Sequence, residues 1–349
     1  MVSMVETTSG RAQEAAVVAA VRAGDRAAFA ALAERYRRQL FVHCYRMLGS
    51  VQDAEDLVQE TFLRAWRARA GFQGRSLFRT WLYRIATNAS LNALERRQRR
   101  VLPPDVAPAT ADPQAAPTWR PELPWLQPAP DRLLEPAAPG DTQPDAVVVA
   151  RETIELAFLA AIQHLPPRQR AVLLLRTVLG WSAKEVAELL ETSVPSVNSA
   201  LQRARATLRT RLPARRLDWT SAPRPTEEEQ AVLRRFMEAF ERQDAAAMTA
   251  MLREDARQAM PPAPLWFDGR EALRAVFEHL FGPGSPGTFR MVATAANRQP
   301  AAACYLRPHG QAEFRLIGLN VLRIEGGQIV EIVSFSPELV AAFDLPPTR

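Results

Sequence analysis

Residues 50–100 read SVQDAEDLVQETFLRAWRARAGFQGRSLFRTWLYRIATNASLNALERRQRR, and three signals follow one another within them. Ala54, Leu57, Val58, Phe62 and Ala65 fall on one face of a helix. Asp53, Asp56 and Glu60, with Gln59 beside them, fall on another. Gly71 and Gly74 then break the helical period, so Gly71–Ser76 is predicted as a loop. A second helix resumes with Phe78, Trp81, Leu82, Ile85 and Ala86 inside. Arg79, Arg84, Asn88, Asn92 and Arg96 lie on its other side, and Arg96, Arg97, Arg99 and Arg100 close it with cations. Acids at a helix start complement its dipole, which accounts for Asp53 and Asp56. Glu60 lies two turns in and needs another reason. An acidic stripe in a basic segment repels DNA and suits a basic protein surface, whereas the arginines beyond the loop suit phosphate.

Upstream, residues 12–48 give two or three helices, with Asp25 as an N-cap and Gly49-Ser50 as a stop. The formal charge of +6 is unevenly spread along the 349 residues. Residues 1–100 hold 17 basic and 9 acidic side chains, a net +8. The next blocks carry −5 (101–150), +6 (151–216) and −3 (217–349). Two basic modules on one tether fit a polyanion touched at two places. Lys184 is the sole lysine, so a bias toward arginine also contributes to this balance. No run of eighteen apolar residues spans a bilayer, and the N-terminal apolar patch lacks the basic flank of a secretory signal. Cys44 and Cys304 have no partners at metal-ligand spacing and are expected reduced and buried, in a cytoplasmic protein. No metal or other cofactor is expected.

DAEDLVQETFLRAW followed by GFQGRSLFRTWLYRIATNASLNALERR closely resembles region 2 of bacterial extracytoplasmic-function sigma factors. The resemblance implies that Asp53, Asp56, Gln59 and Glu60 face core RNA polymerase. It also implies that Gly74 to Phe78, including Arg75 and Ser76, capture a flipped base of the minus-ten element. Trp81, Arg84, Asn88, Asn92 and Arg96 would then line the path of the melted strand. Aromatic platforms and a cationic groove are what unstacked bases require.

Residues 101–150 contain 12 of the 28 prolines and no helical or alternating period. They are predicted as a linker, reaching roughly 40 Å as a flexible coil. One patterned piece, Pro124-Trp125-Leu126-Gln127-Pro128 then Asp131-Arg132-Leu133-Leu134, exposes Trp and Leu unless a folded domain covers it. A docking segment is expected there.

Residues 151–216 turn helical again. Ser182–Leu190 and Pro195–Leu212 bracket a short turn, with Ala187 at the crossing and Val194 and Val197 on the inner face. This is the pattern of a helix-turn-helix. Val197, Leu201, Ala204 and Leu208 face inward on the second helix. Ser196, Asn198, Ser199, Gln202, Arg203 and Arg205 are left outside, where Asn, Gln and Arg read base edges. The block from Leu165 to Leu212 resembles region 4 of the same sigma family, which implies that Ser196, Asn198, Ser199, Gln202 and Arg203 read the minus-thirty-five element. Glu191 stands where that family often has Gly, and Asn198 and Ala200 where Lys and Arg are common.

From Thr226 the pattern changes to capped helices, then alternating strands with a Gly326-Gly327 hairpin, an α+β order with an antiparallel sheet. FMEAFERQDAAAMTAMLREDA, the Phe267-Asp268-Gly269 step and RIEGGQIVEIVSF resemble the cone-shaped SnoaL-like and NTF2-like fold. Enzymes of that fold use an acid in an apolar pocket, so Trp266, Asp268 and His279 are the candidate pocket residues. Asp268 before Gly also fits an ordinary turn, and a lone helical His is commonly structural. Ligand binding, or docking onto the other domains, is the expected role of this part.

The chain is therefore expected to be multidomain: two all-α domains, sigma region 2 over 12–100 and helix-turn-helix sigma region 4 over 151–216, and a C-terminal α+β SnoaL/NTF2-like domain over 226–345. Its expected partners are core RNA polymerase and promoter DNA, with no membrane. The rival reading is a stand-alone, ligand-sensing helix-turn-helix regulator, but a duplex reader needs neither the acidic stripe nor the GFQGRS loop. An enzyme with DNA-binding appendages would need an acid–base pair that the sequence does not offer.

Overall fold

The computed structural model describes residues 16–72, 77–134, 154–212 and 225–348. They fall into two compact units. The first takes residues up to 98 and from 164 to 214, and the second takes 99–134, 151–163 and 215 onward. Among the described residues no helix is long and apolar enough to cross a membrane.

In the first unit, α1 (Arg26–Leu48), α2 (Val51–Ala68) and α3 (Phe78–Arg96) pack together. The Asp25 side chain accepts from the Ala27 and Ala28 amides at 2.8 and 3.0 Å to start α1. Gly49, at φ 67°, ends it, and Ser50 caps α2 through the Asp53 amide at 3.2 Å. Leu40, Cys44, Met47, Ala54, Ala65, Leu82 and Ala86 are fully buried between the three helices. His43 is buried among them, with Nε2 2.9 Å from Thr87 Oγ1.

Burial holds the His43 imidazole down at about 3, and Arg46 and Arg79 lower it further. A histidine kept neutral by the fold contributes its full stability above its unfolded pKa of about 6.5. That contribution is lost as pH falls toward the folded value. The first unit should therefore lose about 2 kcal/mol between pH 7 and pH 5. The measurement is a lowered urea midpoint, and a His43→Gln variant whose midpoint fell just as steeply would rule out this cause.

The unit is completed by α5 (Pro167–Leu173), a π turn over Leu174–Val178, α6 (Ala183–Leu189) and α7 (Val194–Arg211), while α4 (Leu156–Gln163) packs in the second unit. Ser182 and Glu185 form a reciprocal capping box on α6. Ser193 caps α7, and proline in the first turn gives up no needed N–H. Val197, Leu201, Ala204 and Leu208 are buried as the period requires. Val194 departs from the expected inner face: at the first position of α7 it is 38% exposed, because it lies ahead of the first buried turn. Glu191 sits at φ 53° in the inter-helix turn, the left-handed conformation that glycine adopts without strain.

In the second unit α8 (Glu227–Glu241), α9 (Ala245–Ala250) and α10 (Arg270–Leu280) cover one six-stranded sheet. Its strands are β1 (Leu252–Ala259), β2 (Trp266–Asp268), β3 (Gly287–Ala296), β4 (Gln299–Pro308), β5 (Arg315–Glu325) and β6 (Gln328–Phe335), in the order β2-β1-β6-β5-β4-β3. The sheet is mixed, which corrects the antiparallel expectation: β1 pairs parallel with β6. The alternation of β1 was hidden by Arg253, Glu254, Asp255 and Arg257, and its pairing needs a strand seventy residues later. Gly326 and Gly327 make the β5–β6 hairpin with φ of 56° and 73°.

The proline-rich segment differs most from a free linker. Residues 99–134 belong to the second unit. Trp125 is 2% exposed and Leu126 fully buried, and Trp125 Nε1 donates to Arg120 O at 2.7 Å. The rest of the predicted linker, 135–150, lies outside the described residues.

Candidate nucleic-acid interface

The acidic side of α2 is mostly open. Asp56 and Gln59 are exposed and Glu60 half-exposed, with Glu60 Oε1 accepting from Arg64 one turn on at 2.5 Å. Asp53 is more enclosed and forms an ion pair with Arg97 beyond the end of α3. The stripe thus divides: Asp53 is engaged inside the domain, while Asp56, Gln59 and Glu60 remain available to a partner.

On α3, Arg84, Asn88, Asn92 and Arg96 are all exposed, at successive four-residue steps. This row runs about 18 Å along the helix. At its upstream end Phe72, Phe78 and Trp81 form an aromatic cluster with centroids 5.0 to 5.6 Å apart. Trp81 is half-buried and keeps one side at the surface. Phe78, inside by its helical period and the last residue of the loop that the resemblance gives to base capture, is 4% exposed, because it is packed between Tyr36, Phe72 and Trp81. It backs the platform instead of offering a face. Arg79, read as outward, is also buried, donating to Gln39 Oε1 at 3.3 Å. Arg75 and Ser76 lie outside the described residues.

On α7, Ser196, Asn198, Ser199, Gln202 and Arg203 are all exposed on the side opposite the buried stripe. Ser196 also contacts Ser193 Oγ at 2.9 Å and so helps to cap the helix. Arg84 of the α3 row donates to Glu188 O at 3.0 Å and pairs with Glu191 at 3.3 Å in the inter-helix turn. Tyr83 meets Trp181 edge-on at 5.6 Å.

The third place is the inside of the C-terminal sheet. A cavity of about 350 Å³ lies over β1, β5 and β6, walled by α10 and roofed by Pro113, Ala115, Pro117 and Trp119 of the proline-rich segment. The exposed His279 is part of its lining. Trp266 and Asp268 are outside it. Trp266 Nε1 donates to Ala107 O at 2.8 Å, and Asp268 pairs with Arg257 at 2.8 Å on the surface. No Asp or Glu is among the cavity's described lining residues.

Sequence reasoning missed the β3–β4 turn. Asn297 and Arg298 both have positive φ, 55° and 61°, and both are buried. Asn297 Oδ1 accepts from the Ala129 amide and its Nδ2 donates to Ile154 O, each at 2.9 Å. The Arg298 amide donates to Asp131 Oδ1 at 2.7 Å, and Gln299 Oε1 accepts from the Leu156 amide at 2.9 Å. One hairpin tip therefore holds the chain just before residue 135 and just after 153. An Asn between two alternating segments was the available signal.

Residues 32–100 match the Sigma-70 region 2 family, 155–208 the Sigma-70 region 4 family and 233–332 the SnoaL-like domain. The ECF RNA polymerase sigma factor SigG of Mycobacterium tuberculosis is 44% identical over 346 residues, spanning 99% of this chain and 89% of that protein. The chain belongs to the ECF RNA polymerase sigma factors. The RNA polymerase sigma-H factor of Pseudomonas aeruginosa is 33% identical over 193 residues, 55% of this chain and 90% of that one. The crystal structure of the M. tuberculosis ECF sigma factor SigJ shares the fold, with a TM-score of 0.57 at 20% identity over 91% of this chain and 99% of that one. As an ECF sigma factor the protein directs core RNA polymerase to promoters, with core polymerase and promoter DNA as its partners.

Proposed function

We propose that Asp56, Gln59 and Glu60 dock on core polymerase, that the Trp81–Arg96 row carries the melted minus-ten strand, and that Asn198, Ser199, Gln202 and Arg203 read the minus-thirty-five duplex. The separation of charge on the region 2 fold carries this reading: open carboxylates on α2, open Arg and Asn on α3. Carboxylates repel DNA and meet a basic protein surface, while neutral Asn and cationic Arg beside an indole suit an unstacked strand.

The Arg84 contacts to Glu188 and Glu191 have to be exchanged for the strand. Both side chains of the ion pair are largely exposed, so the exchange costs little, under about 1 kcal/mol. No bond-making chemistry is asked of this protein; holding melted bases and duplex edges shifts the open-complex equilibrium while polymerase does the catalysis. Work on polymerase and promoters corresponds to a cytoplasmic location. The C-terminal domain modulates that activity through its grip on residues 99–134 and on α4. A cavity without a carboxylate supports binding over catalysis there.

Run-off transcription with purified core enzyme tests the assignment: added protein should give promoter-specific transcripts, and none would overturn it. Asn198→Ala and Gln202→Ala should each weaken recognition of the upstream element by about 1–3 kcal/mol. A panel of upstream promoter mutants checks this, since the loss must be confined to the contacted base. An equal loss on every promoter would point to a structural role.

A further inference from the structure

We infer that the C-terminal cavity is a binding site for a neutral, mainly aliphatic molecule bearing one hydrogen-bond-donating head, a hydroxyl or a primary amide. The inference rests on the modulatory reading above and names what would act through it. At about 350 Å³ the cavity is at the lower end of small-molecule sites, roughly 300–1,000 Å³. Its polar side chains are gathered on three adjacent strands. Gln258 Nε2 donates to Ser334 Oγ at 3.2 Å, and the Ser334 hydroxyl donates to Asn320 Oδ1 at 2.7 Å.

Two polar atoms beside that chain are left open. Gln258 Oε1 and Ser336 Oγ are buried and take no hydrogen bond, and both residues line the cavity. Buried polar atoms are nearly always paired. Oε1 accepts only, whereas a serine hydroxyl donates and accepts. A hydroxyl or amide head supplies the donor that Oε1 lacks and still accepts from Ser336.

A charged head does not fit. Among its described lining residues there is no Asp, Glu, Lys or Arg. The one ionisable base there, His279, is exposed on α10 rather than among the strand residues Gln258, Asn320 and Ser334. An ionised head beside Gln258 would therefore lose its hydration without an adjacent counter-charge. A carboxylate would also set negative oxygen against Gln258 Oε1. The remaining lining, Phe277 and Phe289 among it, suits an alkyl chain. Pro113 to Trp119 roof the space, so an occupant touches the segment leading to region 4.

The test is calorimetric titration of the full-length protein with 1-octanol, methyl heptanoate and sodium octanoate at pH 8. Octanol should bind at least tenfold more tightly than the acceptor-only ester and the anion. Gln258→Leu and, as a milder change, Ser336→Ala should each reduce that preference about tenfold, with folding checked by thermal melting. Equal or tighter binding of the ester or anion overturns the proposal, as does no binding of octanol to its solubility limit or octanol affinity unchanged in both variants. Run-off transcription with and without octanol separates the two readings. Binding without a change in transcription keeps the site and removes its regulatory link. No binding, with transcription still responding when the Asn297 clamp is broken, keeps the modulatory reading alone.

Discussion

Reversing charge at Asp56 and Glu60 to arginine together abolishes co-purification with core RNA polymerase and leaves the protein folded. Both sit on the solvent side of α2, away from the buried Ala54, Leu57, Val58 and Phe62. Among the described residues the ion pair lost is that of Glu60 with Arg64, whose side chains are 46% and 43% exposed. A pair so exposed contributes under about 1 kcal/mol, so the melting temperature should move by a few degrees at most. Binding is affected far more. Two reversals set four units of charge difference against a basic surface, and like-charge juxtaposition costs several kcal/mol, more than a hundredfold in affinity. Pull-down with core enzyme, read beside circular dichroism, decides the matter. Undiminished recovery of polymerase would remove the docking face from α2. Asp53 is the internal control, because its pairing with Arg97 makes its effect one of stability.

Asn297→Ala loosens the grip of the C-terminal domain on the proline-rich segment around Ala129. The side chain satisfies the Ala129 amide and the Ile154 carbonyl, both buried. Each group left unpaired costs about 1–3 kcal/mol. Alanine at φ 55° adds about 1 kcal/mol of left-handed strain. The sum, about 3–7 kcal/mol, means that protection of the amides near Ala129 against hydrogen exchange should fall at least a hundredfold, while α8 and the sheet stay protected. Asn297→Gly separates the two causes: it keeps the turn and loses the bonds, so it should recover about 1 kcal/mol. Transcription by the alanine variant should differ from that of the parent. Unchanged output with the segment shown to be loosened would mean that the grip is structural only.

The helices were legible because their determinants are local. Asp25, Ser50, Ser182 and Thr226 announce helix starts whose amides they cap. The buried stripe of α7 follows from a period of 3.6. Arg79 was misread for a different reason. Helical phase shows which residues share a side, but a second element can cover another side, and here Gln39 of α1 does so. Strand β1 escaped notice because its partner β6 is remote and parallel, so neither a turn nor clear alternation marked it.

By itself the sequence determined the order of parts, the helix-turn-helix, the acid-bearing α2, the Arg- and Asn-bearing α3 and an apolar Trp125-Leu126 segment in need of cover. All of these depend on neighbours within a few residues. Only the tertiary structure decided that Trp125 and Leu126 are buried in the second unit, that Pro113 to Trp119 line a cavity, that Asn297 holds both sides of the 135–153 stretch, and that Gln258, Ser334 and Asn320 join across three strands. Such groups are brought together by pairing across dozens to more than a hundred residues. No local periodicity or capping preference records which distant backbone amide a buried side chain will satisfy.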